Sequence, residues 1–338
     1  MMKMTHSARG ARAGQGRRLA VVALGLACAW PAVAQVPGSG PAIKQQAAVR
    51  MVDASHAQIL AAVRAGARIV AVGDHGVVLL SDDDGVTYRQ ATVVPTRATL
   101  TAVHFVGDKD GWAVGHLGVV LHTVDGGETW SLQRDDLSAD RPLFGVWFRD
   151  RENGFAVGLW GLLLQTTDGG AHWEASSLPP SPGKTKPSDK NLFAVFPGSH
   201  GEIFLAAERG TVFKSSDGGQ HWVEIDTGNA GTFWTGLTLR SGALLVGGLR
   251  GRMFRGDASG TNWSEVQTGS KSSITSIAEL PDGSVIAVGL DGVSLRSIDD
   301  GHSFVAASRQ DRLPLTAVLP ARRGAALVFS SIGPVKAK

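Results

Sequence analysis

The feature that most constrains this chain is a short turn that returns at near-regular intervals. It reads SDDDGVTY (81–88), TVDGGETW (123–130), TTDGGAHW (166–173), SSDGGQHW (215–222) and SIDDGHSF (297–304). A degenerate copy ends at Trp263, with Asp257 displaced by one place and Gly260 kept. The closing aromatics Tyr88, Trp130, Trp173, Trp222, Trp263 and Phe304 stand 42, 43, 49, 41 and 41 residues apart. Such a period marks one supersecondary unit used repeatedly, so repetition sets the fold.

Each unit holds four short strands. In the second, Leu100–Val103 is followed by the alternating segment Gly111-Trp112-Ala113-Val114-Gly115. A second glycine and a β-branched run come next, Gly118-Val119-Val120-Leu121, ahead of the turn. Period-two alternation with Gly and Asp punctuation predicts strands. The first strand recurs at Leu60–Val63, Leu143–Val146, Leu192–Val195, Trp234–Leu237, Ile274–Ile277 and Leu315–Val318, which with Leu100–Val103 makes seven. Four-stranded units of this length are propeller blades. Seven first strands against six turns predict an all-β, seven-bladed β-propeller in which the N-terminal strand Ala47–Val52 completes the last blade. Such closure leaves no free sheet edge between the chain ends.

Charge bears on partners and on location. The chain carries 33 Lys plus Arg against 30 Asp plus Glu, with a pI of about 9.2. Five of the basic residues, Lys3, Arg9, Arg12, Arg17 and Arg18, lie in the first 34 positions, which hold no acid. Residues 35–338 therefore carry 28 basic against 30 acidic and are mildly acidic, with no basic stripe for nucleic acid. The first 34 residues have the make-up of a secretory leader: a basic start, an apolar run from Leu19 to Trp30, and Ala32-Val33-Ala34 at the cleavage site. The division expected is 1–34 signal peptide and 35–338 propeller. The apolar run is shorter than the roughly 20 residues a membrane-spanning helix needs, and no later segment reaches that length. The chain is thus expected to be exported to a periplasm without a transmembrane segment. A lipid anchor through Cys28 is the lesser alternative, because Gly25 stands where lipoproteins carry Leu. Cys28 is the only cysteine, so the exported part has no disulfide, thiolate nucleophile or Cys-bound metal.

The pattern Ser/Thr-x-Asp-x-Gly-x-x-aromatic resembles the Asp box, or BNR repeat, of sialidases, sortilin-type receptors, xyloglucan hydrolases and photosystem II assembly factors. Its residues have local work to do. Asp83, Asp125, Asp168, Asp217 and Asp299 accept hydrogen bonds from turn amides, glycine supplies positive φ, and the aromatic packs between blades. These residues are expected to be structural rather than catalytic. His172 and His221 occupy variable positions of the turn beside the aromatic.

Strand direction predicts where function lies. In a blade of strands a to d, the b–c turn and the crossing to the next blade share one face, and the Asp-containing c–d turn lies on the other. Loops on a rigid scaffold usually carry function. The b–c positions are Asp74-His75, His116-Leu117, Leu159-Trp160, Glu208-Arg209, Leu249-Arg250 and Leu290-Asp291. The longest crossing is Ser176–Asn191, rich in Pro and Lys. Candidate binding residues are His75, His116, Trp160 and Asp291, with Arg209, Arg250, Arg252 and Arg255 as a cluster in blades four and five. Arginine offers a rigid fork of donors for anions.

The enzyme readings weaken on inspection. A resemblance to sialidases would require an Arg-Ile-Pro motif and a tyrosine nucleophile. The motif is missing, and the only tyrosine, Tyr88, closes the first turn. Paired-carboxylate hydrolysis could draw on Asp74, Glu208 and Asp291, but they belong to separate blades. Gly183-Lys184-Thr185 lacks the earlier glycine of a phosphate loop, since Leu178 stands there. No Gly-x-Ser-x-Gly elbow or zinc-spaced histidine pair occurs. No cofactor or metal is expected.

The blade phrasing at 111–130, taken with an exported cysteine-free chain of seven blades, resembles the photosystem II assembly/stability factor family and its non-photosynthetic relatives. The resemblance covers essentially residues 35–338. It implies a non-enzymatic monomer that helps assemble or scaffold a membrane protein complex or its unassembled subunit, in a photosynthetic organism or beside a membrane exporter. It also implies an arginine patch on one face. A carbohydrate-binding or glycoside-hydrolysing propeller stays open as the alternative, with Trp160 and the carboxylates on its face. A soluble receptor or sensor domain is a third reading.

Overall fold

A computed structural model describes residues 45–322 and 326–335; the expected leader, with Cys28, lies outside them. Blade one is the antiparallel sheet Ile59–Ala65, Arg68–Gly73, Val78–Ser81 and Arg89–Gln90, its strands in chain order from a to d. The same order recurs in five further four-stranded sheets, and a seventh has three strands among the described residues, Leu315–Pro320, Ala326–Ser330 and Gly333–Val335. The innermost strands of blades two to six are Leu100–Val106, Leu143–Phe148, Leu192–Pro197, Phe233–Thr238 and Ile274–Glu279. Each innermost strand touches that of the next blade, and Leu315–Pro320 touches Ile59–Ala65, which closes the ring. Seven blades around an axis are as the repeat predicts.

The core lies between blades rather than within one. Seven apolar clusters are each shared by two neighbours, including one that joins Ala317 and Phe329 of blade seven to Ile59, Ile69 and Leu79 of blade one. A b strand such as Gly154–Gly158 is buried at every position. Covered on both sheet faces, it reads as a continuous apolar run. Glycine at the end of that strand has a steric cause. A Cβ on Gly158 would stand 2.1 Å from the carbonyl oxygen of Pro142, where the chain leads into strand a.

Each Asp-containing turn is a closed hydrogen-bond set. In blade four the Ser215 hydroxyl donates to Asp217 Oδ1 at 2.9 Å and accepts the Gly219 N–H at 2.8 Å. Asp217 also accepts the His221 N–H at 2.9 Å and lies 2.6 Å from His221 Nδ1. Blades one, two, three and six repeat the set, with Thr87, Thr129, His172 and Ser303 in the place of His221. His172 and His221 therefore close the turn, a role shared by every residue before the aromatic in these five copies. Donation from Thr87 holds the Asp83 carboxyl down at about 2; the His172 and His221 amides do the same for Asp168 and Asp217. The aromatics then enter the clusters between blades: Trp222 of blade four meets Phe155 of blade three edge-on at 6.2 Å, and its indole donates to Gly219 O at 3.1 Å. Tyr88 meets Phe329 of blade seven.

The closing strand departs from expectation. Residues 47–52 form no strand and pair with no strand of the last blade. They run along the outer side of blade one, where the Ala48 N–H donates to Val94 O at 2.9 Å and Gln90 bonds both Met51 N and Val49 O. The ring closes instead by apolar packing and a latch. Arg64 of blade one donates to Pro320 O and pairs with Asp84, which accepts the Arg322 N–H at 3.0 Å.

Candidate functional site

The b–c turns share one backbone solution. Their second residue is left-handed without being glycine: His75 (φ 56°), Leu117 (56°), Trp160 (55°), Arg209 (56°), Arg250 (59°) and Asp291 (57°). The residue after each is a glycine of positive φ. Two successive positive φ values make the turn whose twist matches the flanking strands. A left-handed side chain there costs about 1–2 kcal/mol relative to the right-handed region, and the turns accept that cost six times.

These turns abut the segments leading into the innermost strands. Leu159 N donates to Pro142 O, Glu208 N to Asn191 O, Leu249 N to Thr232 O and Leu290 N to Ser273 O, all within 2.9–3.1 Å. Turns and crossings therefore occupy one face, opposite the Asp-containing turns. Trp160 is 63 % exposed there, and His75, Arg209, Arg250 and Asp291 are exposed as well. Asn191 is a joint: its Oδ1 accepts the Trp160 N–H at 2.8 Å and its Nδ2 donates to Glu208 Oε2 at 3.1 Å.

The arginine cluster divides. Arg209 and Arg250 are the corners of consecutive turns, and Arg252 follows in blade five. Arg252 pairs with Glu265 at 3.1 Å and lies over the Phe254 ring. Arg255 does not join them. It sits on the c strand Met253–Gly256, and its guanidinium holds Asp300 of the blade-six Asp turn at 2.5 Å, toward the other face. Of the remaining candidates, His116 is 3.5 Å from Asp140, and Asp291 is taken by Arg312 at 3.0 Å and Ser272 at 3.2 Å. Asp74 accepts the Thr99 hydroxyl at 2.9 Å. The carboxylates of blades one, four and six each have a partner of their own, and none of them share one.

Two lysines outside the candidate binding residues, Lys184 and Lys186, join this face. The crossing from blade three to blade four is fastened by the buried Lys190, which pairs with Glu224 of the outer strand, while Ser181 donates to the same carboxylate at 2.8 Å. Held in this way, Lys184 and Lys186 line an open cavity of about 790 Å³ with Arg209. A second cavity of about 740 Å³ is lined by Arg250, Arg252 and Lys271. Among the described residues, Lys184, Lys186, Arg250 and Lys271 have no carboxylate within salt-bridge distance, and the nearest to Arg209 is Glu208 at 3.9 Å. Blades three to five thus present unspent positive charge on the face that also carries the exposed Trp160. Among the described residues no group of metal-ligating side chains forms, and no helix is long and apolar enough to cross a membrane.

A family model described as photosynthesis system II assembly factor YCF48 matches residues 90–232 and 131–307, more than half of the chain. Curated proteins give no match. Among solved structures, "YCF48 bound to D1 peptide" is similar at a TM-score of 0.66 and 19% identity, over 87% of this chain and 97% of that chain. YCF48 from Cyanidioschyzon merolae follows at 0.64 and 18% identity, over 83% and 94%. A streptogramin B lyase reaches 0.68 at 13% identity, over 85% and 94%. At these identities the structural likeness speaks for the fold alone, since one propeller carries many functions.

Proposed function

This chain belongs to the photosynthesis system II assembly factor YCF48 family, and on that premise we propose that it is an exported, non-enzymatic docking module for a polypeptide segment of a membrane protein complex or its unassembled subunit. The segment lies on the b–c face of blades three to five. One observation carries the reading: Lys184, Lys186, Arg250 and Lys271, unmatched by carboxylates, lie on the turns and crossings of the face that also carries Trp160 and Arg209. Unpaired charge beside an exposed aromatic is the make-up of a binding surface, where Trp and Arg supply most of the energy. The related propeller described with a D1 peptide supports a polypeptide as the class of ligand.

Photocrosslinking in cells tests this. A photoreactive residue at position 160 is expected to capture a membrane protein, and the same residue at Val86 on the opposite face is not. Arg209→Glu with Arg250→Glu is expected to abolish the capture without unfolding the ring. Capture from position 86 alone, or capture indifferent to charge reversal, overturns the assignment. Glycan binding centred on Trp160 would move the protein to the carbohydrate reading.

A further inference from the structure

The axis of the ring carries a feature that the docking face leaves unused. In all seven blades the pairing of strands a and b slips by one residue at the second position of strand a. A bulge re-aims its side chain and is frequent beside binding sites. Here the seven bulged residues all line one cavity of about 200 Å³ on the axis. Strand a begins at the b–c face, so this ring stands one residue inside that face.

The ring is two-sided. Blades three, four and five contribute Phe144, Phe193 and Trp234, with the two phenylalanines stacked at 5.3 Å and 12° between ring planes. Blades two, six and seven contribute Thr101, Thr275 and Thr316. The Thr101 and Thr275 hydroxyls are used, each donating to the carbonyl that opens the next blade, Leu143 O at 2.6 Å and Leu315 O at 2.8 Å. The Thr316 hydroxyl is buried without a partner. Small residues such as Ala102, Gly145, Ala194 and Ser276 line the cavity beside the ring. The aromatic half belongs to the same three blades that carry Trp160, Arg209 and Arg250.

We propose that this channel mouth is an anchor pocket for a single aromatic or branched apolar side chain of an acidic polypeptide, held by Phe144, Phe193 and Trp234 while flanking carboxylates meet Arg209 and Arg250. The proposal rests on the docking reading and names what that site recognises. Size argues for one side chain, because small-ligand sites occupy roughly 300–1,000 Å³. Charge argues for acidic flanks, because Lys184, Lys186, Arg250 and Lys271 have no carboxylate within salt-bridge distance among the described residues. An apolar anchor in a central pocket under a polar rim is how binding energy is usually concentrated. Position is supplied by Asn191 and Ser273, which bond the Trp160 and Arg250 amides and stand just ahead of strands a of blades four and six.

The test uses two fluorescein-labelled peptides, Glu-Asp-Gly-Phe-Gly-Asp-Glu and its Phe→Ala counterpart, with affinity read by anisotropy. The unmodified protein is expected to bind the first at least tenfold more tightly. Phe193→Thr with Trp234→Thr, which copies the residue of blades two, six and seven, is expected to bring both peptides to the weaker value. Arg209→Glu with Arg250→Glu weakens both alike. Equal affinity of the unmodified protein for the two peptides, with the charge dependence kept, overturns the anchor and leaves the docking reading. Equal affinity without charge dependence, or no binding, overturns both. The peptide pair decides the matter even where the threonine variant fails to fold.

Discussion

The two faces of the ring treat charge and backbone strain in opposite ways. On the Asp-turn face, cations are spent inside the molecule: Arg64 latches blade seven to blade one, Arg255 holds Asp300, and Arg240 holds Glu279 at 2.9 Å. Arg68, Asp82, Arg89 and Glu128 form a network across blades one and two. On the b–c face Lys184, Lys186, Arg250 and Lys271 are unspent. Positive φ on the Asp-turn face falls mostly on glycine, whereas the b–c corners load it with Trp, Leu, Arg, His and Asp. Strain kept where glycine would relieve it points to a surface on which side chains are displayed. One face holds blades together, and the other presents residues outward.

The largest test of that contrast sets two tryptophans side by side. Trp222→Ala on the stabilising face removes a buried indole and should cost about 3–5 kcal/mol in urea unfolding. Trp160→Ala on the displaying face should change stability by less than about 0.5 kcal/mol. Comparable losses would erase the distinction.

A second test separates the body of the ring from both faces by pH. The His104 ring accepts the Phe148 N–H at 3.3 Å, and enclosure pushes its pKa down to about 4. Because the folded value lies below the unfolded one, the stability is whole above about 6.5 and is lost as pH falls toward 4. The loss is roughly 3 kcal/mol. His104→Phe should flatten that span of the stability profile. The Asp turns titrate lower: their stabilisation is present above the ordinary carboxylate range and is lost only as pH approaches about 2. Acid unfolding measured by circular dichroism should therefore show two separable spans. A single step unchanged in His104→Phe would contradict this assignment.

Smaller effects sharpen the comparison further. Ser215→Ala deletes the buried hydroxyl that joins Asp217 to the Gly219 amide, and about 1–2 kcal/mol should be lost. Trp160→Gly should do the reverse, raising stability by about 1 kcal/mol as the left-handed corner relaxes, while lowering partner capture. A thermal melt of the two variants gives the signs directly. Loss of stability in Trp160→Gly would show that the corner is part of the framework.

Much of the fold was legible because its instructions are local. The turn bonds of Ser215, Asp217 and His221 span four residues, so a period in the sequence is a period in the structure. The b–c corners were found by the same logic, with a glycine after each. The ring of Leu60, Thr101, Phe144, Phe193, Trp234, Thr275 and Thr316 was not. A bulge is a property of paired strands, and strand a alone shows only an apolar segment. Lys184 reads only as part of an imperfect phosphate loop, Gly183-Lys184-Thr185, and Lys186 as part of a Lys-rich crossing, because their setting depends on Lys190 reaching Glu224 across the blade.

The sequence by itself determined the number of blades, their order and the chemistry of every Asp-containing turn, since these rest on contacts a few residues apart. Tertiary structure decided the rest. It sent residues 47–52 to the outer side of blade one, because Gln90 and Val94 offered their backbone partners there. It parted Arg255 from Arg250, because a strand of four residues carries a side chain from one face toward the other. And it brought three aromatics from three blades to one channel mouth, a meeting that only ring closure can arrange.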